Sequence, residues 1–462
     1  MEEQLAALAA ELATLKEQTA GLNRTTAETY YYLTIPLMVL IHAGFLSYEM
    51  GASRAKNALS SGIKNILAFA FIIPTFYYAG WFIYWAFPTG FSMSVGPQEI
   101  SGLAYAIGAA NPAGEVMGPN VGDSATGVFF GAFAMFAATT ASIMSGAVIE
   151  RIQIVGFVIL AIVLGSFVWI LGAAWGWHAD GWLVTALGYH DFGAAGVVHA
   201  IAGFFTLGVL MNLGPRLGKF NADGSANSIP GHSLPATLVG LMLIIAGFWG
   251  FLMGCVIFPG ESWSWTEGIF ATIYGTPTNL SAMTFNILMG FAGGAIAAWA
   301  FTHDPFWMMS GALGGIIAVA GGLDLYWPPM AFVIAAIGGS IMPLAARVVE
   351  KMRIDDAVGA VALHGVVGVW GVVAVGIFAS GYPALTVEGS PTITLYGQVI
   401  GAIVMIALGF IPGYVVSLVL KGLGLLRVPK EAELLGLDKV KVPAIAYPEV
   451  LGAAQGPTTP AQ

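Results

Sequence analysis

Charge is scarce in this chain. Aspartate, glutamate, lysine and arginine supply only 9% of its 462 residues, where soluble domains carry about 25%. So few charges cannot cover a water-facing surface, and with 57% hydrophobic residues the chain reads as a polytopic membrane protein. Cysteine is rarer still. The single Cys255 excludes an intrachain disulfide and any cysteine-based metal site. Positive charge is in the minority, at a formal net of −9, which argues against a nucleic-acid partner. The first 25 residues are polar and charged rather than basic and then apolar, so no signal peptide is expected. The seven histidines include no pair with convincing metal-ligand spacing, so no metal is expected. There is likewise no nucleophile–base constellation and no cofactor motif, which speaks against an enzyme.

Glycine, by contrast, is abundant at 62 residues, as suits helices packed closely in lipid. From about residue 30, long apolar segments alternate with short polar ones. Eleven membrane helices are predicted, at 31–50, 62–87, 125–149, 153–173, 192–213, 234–258, 282–302, 306–323, 327–346, 357–380 and 395–420. Each can satisfy its own backbone hydrogen bonds, and the predicted fold is an all-α polytopic membrane protein. Residues 1–29 differ: Leu5, Leu8, Leu12, Leu15, Thr19 and Leu22 recur at spacings of three and four, a heptad seam. They predict an extracytoplasmic coiled-coil helix (1–29), ahead of a transmembrane domain (30–422) and a cytoplasmic tail (423–462).

Charge placement sets the expected orientation. Only Lys16 and Arg24 precede the first span, and the other 14 lysines and arginines, from Arg54 to Lys441, fall on one side of this segmentation. The loops around 88–124, 174–191, 259–281, 324–326 and 381–394 carry none. The positive-inside rule then places the N-terminus outside a cell membrane and the C-terminus in the cytoplasm.

Two stretches repeat one another. Asp191 is followed eight residues later by His199 and, four residues beyond, by Gly203; Asp356, His364 and Gly368 keep the same spacing. At a helical rise of about 1.5 Å, each histidine lies roughly 12 Å past its acid, deep enough to approach the middle of a bilayer. An ionisable group at that depth points to function. The two lie in the predicted fifth and tenth spans, which run in opposite directions, so helices 1–5 and 6–10 are expected to be inverted repeats with a substrate path at their interface.

At these residues the chain resembles the Amt/Rh ammonium transporters. The resemblance rests on the stretch from Asp191 to His199, on Gly146-Ala-Val-Ile-Glu150-Arg151, on Trp182 in Asp-Gly-Trp-Leu, on Asp355-Asp356 ahead of His364, and on Ala43 to Asn57. It spans roughly residues 30–447 and implies eleven spans, a homotrimer, and one path per subunit for ammonium or ammonia, with methylammonium as an analogue. It implies that His199 and His364 hydrogen-bond to each other along a narrow apolar pore. Neutral imidazole suits that place because it donates and accepts without carrying charge. It also implies that Trp177 holds the cation at an outer vestibule and that the stacked rings of Phe136 and Phe251 close the pore beneath it. Trp175 and Trp182 also fit interfacial belt positions. Asp191 reads as a helix N-cap shaping the outer mouth through backbone carbonyls rather than as a direct ligand.

The chain departs from that pattern at three places. Cys255 stands where many relatives have a cation-binding serine, Leu252 where asparagine is common, and Gly359 where a further acid follows the paired aspartates. A thiol is the weaker partner, so outer-site affinity is open, and an ammonium receptor with little flux is the alternative reading. The run Arg427–Asp438 resembles the family's cytoplasmic tail. Regulation by a PII signalling protein stays open, because the later His-Gly-Glu is absent.

Overall fold

The computed structural model describes residues 1–90, 124–256, 270–271, 274–385 and 388–449. Its helices follow the apolar segments closely: α1 (Glu2–Ala52), α2 (Ala55–Ala86), α3 (Ser124–Ala147), α4 (Ile154–Gly176), α5 (Ala195–Leu213), α6 (Leu234–Met253), α7 (Leu280–Thr302), α8 (Pro305–Ala320), α9 (Pro328–Lys351), α10 (Val361–Phe378) and α11 (Leu395–Gly422). Among the described residues, ten of these are long and apolar enough to cross a membrane, and α8 is a shorter apolar helix of 16 residues. The eighth predicted span coincides with that shorter helix. The described β-structure is one antiparallel pair, Phe270–Ala271 with Pro277–Thr278, besides isolated bridges.

The heptad segment and the first span are one helix. No glycine or proline interrupts residues 22–35, so nothing breaks the ladder at the expected boundary near residue 30. Burial changes there instead. Leu5, Leu8, Leu12, Leu15 and Leu22 are more than half exposed, whereas Tyr30 and Tyr31 are buried. The Tyr30 hydroxyl donates to the Met253 carbonyl at 3.2 Å and the Tyr31 hydroxyl donates to the Val256 carbonyl, tying α1 to the end of α6.

Helices α5 and α10 begin alike. Each opens with a π-helical turn, Ala195–Ala200 and Val361–Val366, and each turn carries its histidine. Three residues after each acid the backbone turns left-handed, at Ala194 (φ 69°) and Gly359 (φ 75°). A residue with positive φ is uncommon unless it is glycine, which gives Gly359 a backbone reason to stand where relatives place an acid. The glycines four residues beyond the histidines let the two helices cross. A Cβ on Gly203 would lie 2.1 Å from the Gly365 nitrogen, and one on Gly368 would lie 2.4 Å from the Ala195 carbonyl oxygen. Neither leaves room for a side chain.

A buried ionic network closes the end of the bundle that holds most of the basic residues. Arg216 grips Asp355 through Nε (2.8 Å) and Nη2 (3.0 Å), while Arg151 donates to the Asp355 carbonyl. Glu150 accepts from the backbone and guanidinium of Arg54 and lies 3.9 Å from Arg216. The tail joins this network. Arg427 pairs with Glu433 at 2.8 Å, and Asp438 accepts from the backbone of Leu59 and Ser60 at the start of α2. Burial alone would raise the Asp355 carboxyl, but Arg151 and the bonds from Arg216 outweigh it and hold it below the ordinary aspartate value.

A depressed carboxyl contributes stability above its unfolded value near 4, and that contribution fades as pH falls below it. Asp355→Asn should therefore cost about 3–5 kcal/mol at neutral pH by leaving buried arginine charge unpaired. The variant should also lose less of its remaining stability between pH 5 and 3 than the parent. Thermal unfolding of the detergent-solubilised protein across pH measures both, and parallel pH curves would refute the assignment.

Candidate functional site

The two π-turns bring the histidines together. His199 Nδ1 lies 3.0 Å from His364 Nδ1, with ring centroids 5.1 Å apart, and both side chains are buried. One ring donates and the other accepts, which neutral imidazoles can do. The remaining nitrogen of His199, Nε2, has no partner among the described residues. Phe248 stacks on His199 at 5.6 Å and 12°, and Phe251 at 5.8 Å. Phe248 escaped the sequence reading, although it precedes Phe251 by three residues and so shares its helix face.

Above His199 the aromatic column continues. Phe136 meets Phe251 with centroids 4.5 Å apart at 68°, an edge-to-face contact rather than the parallel stack expected. The parallel partner of Phe251 is Phe248, at 5.1 Å and 19°. Facing helices α3 and α6 present Phe136 and Phe251 at an angle, whereas Phe248 and Phe251 lie one helical turn apart on α6. Phe136 also meets Trp177 edge-on at 5.4 Å. Cys255 is buried, and its thiol donates to the Phe251 carbonyl at 3.5 Å. Trp175 and Trp182 pair edge-to-face at 5.7 Å.

Asp191 is fully buried and acts as a cap. Its Oδ2 accepts from the Gly196 and Val197 amides, each at 2.8 Å, and from the Tyr189 hydroxyl. Its carbonyl accepts the Trp177 indole N–H at 2.7 Å, so the cap and the tryptophan are one unit. Asp356 caps α10 in the same way, accepting from Ala360 at 3.0 Å and Val361 at 2.7 Å. Burial pushes both carboxyls above the ordinary aspartate value, against the opposing pull of those same amides.

A narrow space of about 10 Å³ is lined by His364 with Tyr48, Gly146, Val358 and Leu363, and a separate cavity of about 560 Å³ shares Val358 in its lining. Arg216, Lys219, Arg347, Glu350 and Asp356 line that larger cavity, together with Trp307. No group of three or more metal-ligating side chains occurs among the described residues. His42 packs on Phe69 and faces Ser142, and His303 ends α7 with a left-handed backbone. His178 lies against Tyr84 and Trp85, and His232 bonds Tyr447 of the tail. His190, expected in a loop, is fully buried.

The arrangement can hold a small polar molecule against two imidazoles in an otherwise apolar column. It can also present a cation with aromatic faces at the end near Trp177. Comparisons with known proteins give the family and the fold. Ammonium transporter Amt2 of Archaeoglobus fulgidus is 33% identical over 436 residues, covering 89% of this chain and 86% of that protein. Ammonium transporter Amt1 of Haloferax mediterranei is 32% identical, covering 90% and 78%. Among solved structures, one described as "Sensor Amt Protein" superposes with a TM-score of 0.74 at 25% identity, covering 91% of this chain and 99% of that one. The structure of Saccharomyces cerevisiae Mep2 reaches 0.67 at 21% identity over 88% of each chain, a likeness of fold. The pattern of the Ammonium Transporter Family matches residues 30–447, and the chain belongs to that family.

Proposed function

We propose that this protein is an ammonium transporter that recruits the cation beside Trp177 and conducts ammonia past Phe136 and Phe251 along His199 and His364. The contact between the two imidazoles carries this reading. A buried pair of neutral, mutually bonded rings offers hydrogen bonds to ammonia while giving an ion nothing to replace its hydration. The narrow space and larger cavity below His364 form the exit. In this reading the path runs between two inverted five-helix repeats, helices α1–α5 and α6–α10, with α11 completing eleven spans. The matched caps, left-handed turns and π-turns of α5 and α10 support the repeat. Arg54, Arg151, Arg216 and Arg427 come from separate connections yet meet in one network, which supports a single cytoplasmic side. The N-terminus then lies outside a cell membrane and the tail (423–462) inside, where a PII protein is a candidate partner.

A second reading, a receptor that binds ammonium with little flux, is kept because of the likeness to the Sensor Amt structure. Flux of methylammonium or ammonium into liposomes decides between the two. Wild-type protein should conduct, while His199→Ala or His364→Ala should impair conduction or lower ammonium-over-potassium selectivity in folded protein. Each change leaves its partner imidazole unsatisfied, at about 1–3 kcal/mol. Wild-type flux and selectivity in both variants would sink the pore assignment, and binding without flux in the parent would favour the receptor.

Trp177→Leu should weaken recruitment at low ammonium by about tenfold, for a lost cation–π contact of roughly 1–2 kcal/mol, and matter less at saturation. An unchanged concentration dependence would move the site elsewhere.

The exposed heptad leucines of residues 1–29 are proposed to join three copies as a parallel coiled coil outside the cell, within a homotrimer. Removing residues 1–25 should lower trimer stability in detergent and leave membrane insertion intact. Cross-linking yields unchanged by the deletion would remove the coiled coil from the picture.

A further inference from the structure

Directly behind the proposed recruitment site lies a buried ionisable pair that the pathway above does not use. His190 Nε2 is 3.1 Å from Asp324 Oδ1, with both side chains fully enclosed. The other ring nitrogen, Nδ1, faces the Ala384 carbonyl at 3.4 Å. Both nitrogens thus look at acceptors, and a neutral imidazole has one N–H to give.

The surroundings fix His190 in position. Gln398 bonds both its amide and its carbonyl, and the ring lies on Tyr274 with centroids 4.2 Å apart. The Tyr274 hydroxyl in turn accepts the Asp191 amide and donates to the Gly176 carbonyl. His190 is the neighbour of Asp191, whose carbonyl holds Trp177, so the pair is one residue from the proposed site. Three oxygens here have no partner among the described residues: Asp324 Oδ2, Asp191 Oδ1 and the Tyr326 hydroxyl. A buried oxygen left unpaired is costly unless something else engages it. The charges of Asp191 and Asp324 both act on Cys255. Burial pushes the phenols of Tyr274 and Tyr326 up, and the same two carboxylates push them further.

We propose that Asp324, oriented by His190, is an affinity-determining residue of the outer site, supplying cation-attracting charge where Cys255 is a poor ligand. This rests on the ammonium reading above. The carboxylate works at a distance through a low-dielectric interior, where a charge is felt more strongly than in water. His190 is a positioning residue. Its Nε2 contact fixes Oδ1 and so sets the direction of Oδ2, which has no partner among the described residues. The groups facing His190 are Asp324, the Ala384 carbonyl, Gln398 and Tyr274, with Asp191 adjacent in the chain.

The test measures ammonium binding by calorimetry and methylammonium flux on full-length protein. Asp324→Asn should weaken binding and raise KM by about tenfold, a loss of one charge contact, with the maximal rate retained. Asp324→Glu, which keeps the charge, should stay near the parent value. His190→Gln, which keeps an N–H donor for the carboxylate, should leave KM near the parent value. A merely structural pair would instead lower maximal rate and yield in all three variants, or raise KM alike in Asp324→Asn and His190→Gln. Either of those results, or parental affinity in Asp324→Asn, overturns the proposal while leaving transport standing. Binding without flux in the parent ends the transport reading, while the affinity comparison still judges this one. No ammonium binding by the parent overturns the proposal.

Discussion

The crossing of α5 and α10 is the constraint on which the rest depends. The His199 and His364 rings meet where their helices cross with backbone against backbone, and Gly203 and Gly368 permit that crossing. The approach leaves no space for a Cβ on either helix, so histidine contact and glycine pair are one requirement. The π-turns that carry the rings relax helical pairing over the same residues, and the two aspartate caps gather the amides at the helix starts. A polar contact in an apolar column is thus held by backbone geometry together with the Phe248 and Phe251 rings stacked on His199.

Much of this was legible in the sequence, because the membrane forces its signals to be long. Apolar runs of about 20 residues located the helices, since a span must cross about 30 Å of hydrocarbon. The repeated acid–histidine–glycine spacing marked both histidines, which the fold brings into contact. What stayed hidden were relations across sequence-distant elements. Phe248 was readable in principle from its spacing to Phe251. The angle between Phe136 and Phe251 was not, because it depends on how α3 faces α6. His190 and Asp324 are 134 residues apart, and neither sits in a pattern that names the other. Gly359 read as a missing acid, while its left-handed backbone supplies a physical reason for glycine.

The two ends of the bundle solve opposite problems. At the basic end, arginines from several connections converge on Glu150 and Asp355, and Coulomb attraction there offsets the cost of burial. The C-terminal helices Lys430–Leu435 and Leu437–Lys441 are fastened to the same network. At the other end the buried carboxylates of Asp191 and Asp324 have no arginine or lysine among their described partners. They are held by amides, a tyrosine and a histidine.

The unbroken α1 has a mechanical consequence. Its fully exposed stretch, residues 2–20, is a rod of about 28 Å, and no glycine or proline interrupts the helix from residue 22 to residue 35, where it enters the body. Bending or twisting applied to its far end is delivered directly to Tyr30 and Tyr31, and through their hydroxyls to the end of α6 that carries Phe251 and Cys255.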